Sequence, residues 1–250
     1  MEKLRSAGDT ALGTSRSLTR IAGAALQWLW MLMMFYSIVP YGFSSDVRGS
    51  LYVSLIISLV AMVVTMLFVS VIVRRERVSG NRSIVLGSAI MMSAGSVLTP
   101  FSDPTTPVGM LVLGLSAVMT GTGSAVLFLC WIELESGLGG RLALVELASS
   151  LCIAFVVGFL LIAGPAIPVI ALVVIMPVLS AAALRRSAPD TPQLPRETEH
   201  PLSRHTITLF AKALLGAVPI GLLMGFFDVV SGFTTYAGQD IFGTYLLLAG

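Results

Sequence analysis

Seven apolar runs, each close to the length that crosses a bilayer, dictate what this chain can become. They lie at about 21–43, 51–73, 83–101, 108–133, 142–163, 166–184 and 206–230. A spanning helix needs about 20 consecutive apolar residues, so each run suffices for one crossing. None shows the alternation of a barrel strand, and an open strand would leave its backbone groups unpaired in lipid. Every run is therefore predicted to be an α-helix. An eighth run, IFGTYLLLAG from Ile241 onward, has about half the necessary length. It is expected either to continue beyond Gly250 or to form a re-entrant or interfacial stub. The fold class that follows is all-α, a polytopic membrane helix bundle with seven full spans and a truncated eighth. Composition agrees: only 11% of the 250 residues are charged and 56% are hydrophobic, whereas soluble domains carry about 25% charged residues.

The first run is too long for the apolar region of a signal peptide, which covers about 7 to 15 residues, and is read as a retained membrane helix. Basic residues set the orientation, because Lys and Arg accumulate in short cytoplasmic segments. With the N-terminus inside, every basic residue except Arg48 falls on the cytoplasmic side or within a turn or so of it. The opposite topology would strand nearly all of them outside. The expected location is a bacterial cytoplasmic membrane. The net charge of +2 gives no reason to expect nucleic-acid binding through this chain itself. The expected partners are the lipid bilayer and a small-molecule ligand.

Loop composition divides the chain. Residues 1–20 form a cytoplasmic N-terminal tail, and 21–184 a six-helix membrane bundle. Residues 185–205, with Pro189, Pro192, Pro195 and Pro201 among polar neighbours, form an extended cytoplasmic linker. Residues 206–250 begin a second, incomplete membrane bundle. The opposite loops, such as FSDPTTP at 101–107 and AGPAIP at 163–168, are short and rich in turn formers.

Six helices, a cytoplasmic N-terminus and a long linker before a seventh helix resemble the first half of the major facilitator superfamily. That family carries a Gly-x-x-x-Asp-Arg-x-Gly-Arg-Arg type signature after its second helix. The corresponding loop here reads Arg74-Arg75-Glu76-Arg77-Val78-Ser79-Gly80-Asn81-Arg82. It lacks the leading Gly, has Glu76-Arg77 in place of Asp-Arg, and reaches Gly80 one residue late. The resemblance makes Arg74, Arg75, Glu76, Arg77 and Arg82 gate-loop candidates. A second run, TGTGSAVLFLCWIELES at 120–136, is similar to the fourth helix of membrane-anchored LuxR-type regulators of anaerobic actinobacteria. Those join a facilitator-like membrane region to a helix-turn-helix domain. This resemblance implies the small-molecule-sensing membrane region of a transcriptional regulator whose DNA-binding domain is absent from these 250 residues. The alternative is half of a facilitator transporter.

Charged and aromatic residues in the runs supply the ligand-binding or coupling candidates, because burying an ionised side chain in a membrane helix costs about 2.5 to 3.5 kcal/mol on insertion scales. Glu133 and Glu135 end the fourth run and are placed to face Arg141 across a short turn. Glu146, about a turn inside the fifth run, is expected to pair with Arg141 or with the arginines at 74–82. Asp228 lies near the outer end of the seventh run. Trp28 and Tyr36 flank the aromatic stretch before Pro40; the aromatics could line a cavity, but Trp28 and Trp30 fit an interfacial belt better. In the fourth run Ala117, Gly121 and Ala125 recur every four residues beside Ser116, Thr120 and Ser124, a pattern that favours close helix packing over cavity lining. Cys130 and Cys152 suit buried positions and lack disulfide or metal spacing. His200 and His205 have no ligating neighbours. Neither a metal nor another cofactor is expected. No nucleophile has a plausible base, so enzymatic activity is not expected either.

Overall fold

The computed structural model describes residues 2–72, 78–138 and 140–187, with side chains described within 16–69, 78–138 and 140–187. All their regular structure is helical: α1 (Glu2–Tyr36), α2 (Val47–Ile72), α3 (Arg82–Leu98), α4 (Pro107–Ser136), α5 (Gly140–Ile162) and α6 (Ala166–Ser187), with short 3-10 turns between some of them. All six have a stretch long and apolar enough to cross a membrane. The expected seventh span and truncated eighth lie outside the described residues. Large apolar side chains such as Ile56, Val60 and Phe68 on α2 and Leu144, Val156 and Leu160 on α5 point outward, as a bilayer environment requires.

Local chemistry sets the helix ends. Asn81 caps α3, its side chain accepting from the backbone N–H groups of Ser83 and Ile84. Thr106 caps α4 by accepting from Gly109 N–H, and Pro107 occupies the first helical turn, where its missing N–H removes no helical bond. The aromatic end of α1 breaks earlier than the apolar run suggests. The helix stops at Tyr36, and Val39–Tyr41 form a separate 3-10 turn around Pro40. The same helix begins well before residue 21, so Arg20 belongs to a spanning helix and not to a tail.

The helices pair in a repeating scheme. α1 packs chiefly on α5 and α6, α4 packs chiefly on α2 and α3, and α3 meets α6 between them. Exchanging α1, α2 and α3 for α4, α5 and α6 leaves this pairing unchanged. Individual hydrogen bonds follow the exchange. Trp30 Nε1 on α1 donates to Ser96 Oγ on α3, and Trp131 Nε1 on α4 donates to Ser180 Oγ on α6, both at 3.0 Å. Each tryptophan sits near the C-terminal end of its helix. With three helices in each unit, a chain crossing at every helix runs its second unit opposite to its first.

Small residues make the closest approaches. A Cβ added at Gly121 would collide with the backbone oxygen of Ser58 on α2. Both small rows of α4 are buried. Ser58 Oγ donates to Ala117 O at 3.0 Å, and Ser116 Oγ donates to Gly95 O on α3 at 2.8 Å. The rows are packing seams, as expected, with α4 wedged between α2 and α3. At Gly23, a Cβ would meet Ala183 of α6 and the indole of Trp131, so the core closes around α1 as well. Cys130 is buried, but Cys152 is exposed on α5, contrary to expectation.

Candidate functional site

The ends of the bundle differ in chemistry. One end, here termed the basic end, carries Arg16, Arg20, Arg82, Arg141, Arg185 and Arg186. There Glu146 of α5, only 3% exposed, meets Arg20 of α1. Arg20 Nε donates to Glu146 Oε2 at 2.8 Å, Arg20 Nη2 donates to Oε1 at 2.6 Å, and Ser17 Oγ donates to the same Oε1 at 2.7 Å. A planar guanidinium fork on a carboxylate is the strongest ion-pair geometry available to side chains. It compensates the desolvation of Glu146 and joins α1 to α5. The expected partners, Arg141 and the 74–82 arginines, are not the ones that form this pair. Arg141 is exposed at the start of α5, five residues and so about 140° around the helix from Glu146.

Glu133 likewise does not face Arg141. Its two carboxylate oxygens accept the backbone N–H groups of Val78 and Ser79, at 3.1 and 2.9 Å. These donors begin the 3-10 turn Val78–Gly80, where no helical acceptor precedes them. Glu133 thus anchors the segment leading into α3 to the end of α4. Glu135 is half-buried and close enough to Glu146 to feel its charge. Arg82 is exposed in the first turn of α3. Arg74, Arg75, Glu76, Arg77 and Asp228 lie outside the described residues, as do His200 and His205.

At the opposite end hydroxyls make many of the polar contacts. Asp103 accepts from Ser45 Oγ and from both the backbone N–H and the Oγ1 of Thr105. The Thr105 hydroxyl and N–H, followed by Ser45, hold its carboxyl below the usual carboxylate range. Tyr41 is fully buried, with its hydroxyl donating toward Ser54 Oγ at 2.9 Å and Met34 O at 3.1 Å. Burial pushes this phenol up to about 12, with the Ser54 bond opposing the shift.

Between these ends the aromatic residues occupy the bundle interior. Trp28 is partly buried and edge-on to Phe128 of α4, ring centroids 5.4 Å apart. Trp30 is fully buried. The interfacial-belt expectation is therefore overturned for Trp30: the Ser96 hydroxyl satisfies its indole N–H inside the protein, so water is not needed. Tyr36 is partly buried at the end of α1.

The site residue that sequence reasoning passed over is Gln27. It is 1% exposed, and neither its Nε2 nor its Oε1 has a hydrogen-bond partner. The signal was present in the sequence, since the positions one helical turn away are Gly23, Ala24, Trp30 and Met31. None of those side chains accepts from an amide N–H, and Trp30 gives its own N–H to Ser96. Hydropathy places Arg20 in the tail, and its pairing depends on a contact 126 residues away in sequence. Among the described residues no group of His, Cys, Asp and Glu could hold a metal ion.

Fold and site together define an all-helical bundle compatible with a multi-pass membrane protein, whose described residues include the buried Arg20–Glu146 ion pair and the orphaned Gln27 amide. Comparisons with protein-family models, with curated proteins and with solved structures found no match.

Proposed function

We propose that this chain is a facilitator-like membrane module that binds a small molecule between its helices, and that it is the sensing region of a LuxR-type membrane-anchored transcriptional regulator. The observation that carries the reading is the repeated pairing scheme. Two three-helix units of opposite direction, each with its first helix packed on the second and third helices of the other, match the inverted repeats nested in facilitator halves. Orientation with the N-terminus in the cytoplasm follows from the basic end, which then faces inward. In this reading the Arg20–Glu146 pair is the inner latch between α1 and α5, and its opening reports ligand binding to the cytoplasm.

Sensing is favoured over transport by the position of the charges. Among the described residues, every charged side chain within a span lies within about two turns of the end of that span, whereas ion-coupled carriers place ionisable groups near the midplane. The carrier remains the alternative because the same repeat serves both. Sequencing the reading frame beyond Gly250 separates them. Further helices followed by a helix-turn-helix domain are the expected result; a frame ending after twelve helices would replace the sensor with a transporter. For the latch, Glu146→Gln, which keeps hydrogen-bonding capacity toward Arg20 and Ser17 but removes the charge, is expected to alter ligand response far more than abundance. Equal loss of response and abundance would assign Glu146 a structural role only.

A further inference from the structure

Hydrogen-bonding groups inside a membrane bundle have no solvent to fall back on, so an amide buried without partners raises the energy of the state that contains it. Gln27 is such a group. It lies one turn from Gly23 and three residues before Trp30, on the same side of α1. Both neighbours mark the bundle interior: the Trp131 indole lies against Gly23, and Trp30 reaches Ser96 of α3.

The hydroxyls along this face are already engaged. Ser180 Oγ accepts from Trp131 and donates to Gly23 O at 2.8 Å. Ser96 Oγ accepts from Trp30 and donates to Met92 O at 2.8 Å. Each has spent its one proton, so neither can donate to Gln27 Oε1. A buried water is held by two to four polar partners, of which the amide supplies two. A molecule carrying its own donor and acceptor side by side would satisfy both Gln27 atoms at once, with little help from the walls.

We propose that Gln27 is the recognition residue of a binding site inside the six-helix unit, flanked by Trp30 and Trp131, for a small neutral molecule presenting an adjacent hydrogen-bond donor and acceptor, as a primary amide does. The proposal rests on the ligand-binding reading above and specifies its chemistry. In the described structure both atoms of the amide are left unpaired. Ligand entry draws α1 away from α3 and α6 near the two indoles, and the new pair of hydrogen bonds offsets that opening.

The chain contains three tryptophans, Trp28, Trp30 and Trp131, and Trp30 and Trp131 flank the site. Intrinsic fluorescence therefore reports on it directly. The full chain in lipid nanodiscs is titrated with acetamide into the millimolar range, as befits a four-heavy-atom fragment. N,N-dimethylacetamide, which accepts but cannot donate, serves as the matched control. The expected result is a saturable emission shift with acetamide and none with the control, weakened at least tenfold in Gln27→Leu. Gln27→Asn, which keeps the amide on a shorter arm, is expected to retain part of the response. Thermal melting of each variant establishes that it is folded. Absence of a saturable shift in the wild-type chain overturns the proposal, leaving the amide as a packing defect or a water site. A shift with acetamide or with other small molecules that persists unchanged in Gln27→Leu also overturns it, while leaving the general ligand-binding reading intact.

Discussion

The seam between α1 and α5 and the seam between α4 and α2 occupy equivalent places in the two three-helix units, and both bury a row of small residues, Ser150, Ala154 and Gly158 on α5 and Ala117, Gly121 and Ala125 on α4, but the first adds a charged pair near one end. The first is closed by a guanidinium–carboxylate fork between Arg20 and Glu146 near one end of the bundle. The second is closed along its length by small residues and hydroxyls, with Gly121 against the Ser58 backbone and Ser58 Oγ on Ala117 O. A charged latch has two discrete arrangements, paired and open, and its partners can exchange protein contacts for water and headgroups. A small-residue seam has only one good packing, because interiors resist gradual deformation. Similar pairing thus yields two small-residue seams, one of them with an added latch that can open.

The largest effect expected to break this contrast is removal of one latch partner. Arg20→Ala leaves Glu146 buried and uncompensated and is expected to destabilise the bundle by about 4 kcal/mol, measured by unfolding in detergent. The double variant Arg20→Met with Glu146→Leu is expected to recover most of that loss, since an apolar pair needs no charge compensation. If the double variant is as unstable as the single one, the latch is not the source of the effect. Next in size, Gly121→Val is expected to cost about 2 to 3 kcal/mol through overpacking against Ser58. No second substitution on α4 alone should rescue it, because the obstruction is backbone. Smaller still, Trp30→Phe and Trp131→Phe each remove one interior indole donor and are expected to cost about 1 kcal/mol apiece. Equal losses would sharpen the equivalence of the two units. A much larger loss for Trp131→Phe would show that the link through Ser180 to Gly23 sets them apart.

The smallest expected effect concerns pH. Asp103 has a depressed pKa in the folded protein, so its contribution to stability is present above the unfolded carboxylate value and fades as pH falls through the folded value. Asp103→Asn should therefore destabilise slightly at neutral pH and become indistinguishable from wild type in acid. A difference that persists at low pH would mean that the Ser45 and Thr105 contacts do not depend on the charge.

The six described spans could be read from apolar run length, because lipid leaves the backbone no alternative to a helix. The small rows at Ala117, Gly121, Ala125 and Ser116, Thr120, Ser124 also revealed the packing of α4, since spacing of four places residues on one face. Partner choice could not be read in the same way. Glu146 found Arg20 rather than the nearer Arg141, and Glu133 found two backbone N–H groups rather than any side chain. Such choices depend on which helices lie side by side, and hydropathy carries no information about that. Trp30 was misplaced for a related reason: an indole suits an interface until a buried hydroxyl accepts its proton. Gln27 was visible as a lone amide in an apolar stretch, but its isolation became evident only once α1 was seen packed on α5 and α6, with the Ser96 and Ser180 hydroxyls engaged elsewhere.

Three crossings per unit have a consequence for biogenesis. A unit with an odd number of spans must enter the membrane in one direction the first time and in the reverse direction the second. Two similar three-helix segments therefore have to be given opposite insertion signals within one chain. Helix packing cannot supply these signals, because it is nearly the same in both units. The arginines at the basic end can, which places part of the burden of folding on residues such as Arg82 and Arg141 that are exposed in the finished bundle. Arg82 and Arg141, exposed at the starts of α3 and α5, are where a charge reversal would disturb assembly during synthesis while leaving the assembled protein's stability almost unchanged.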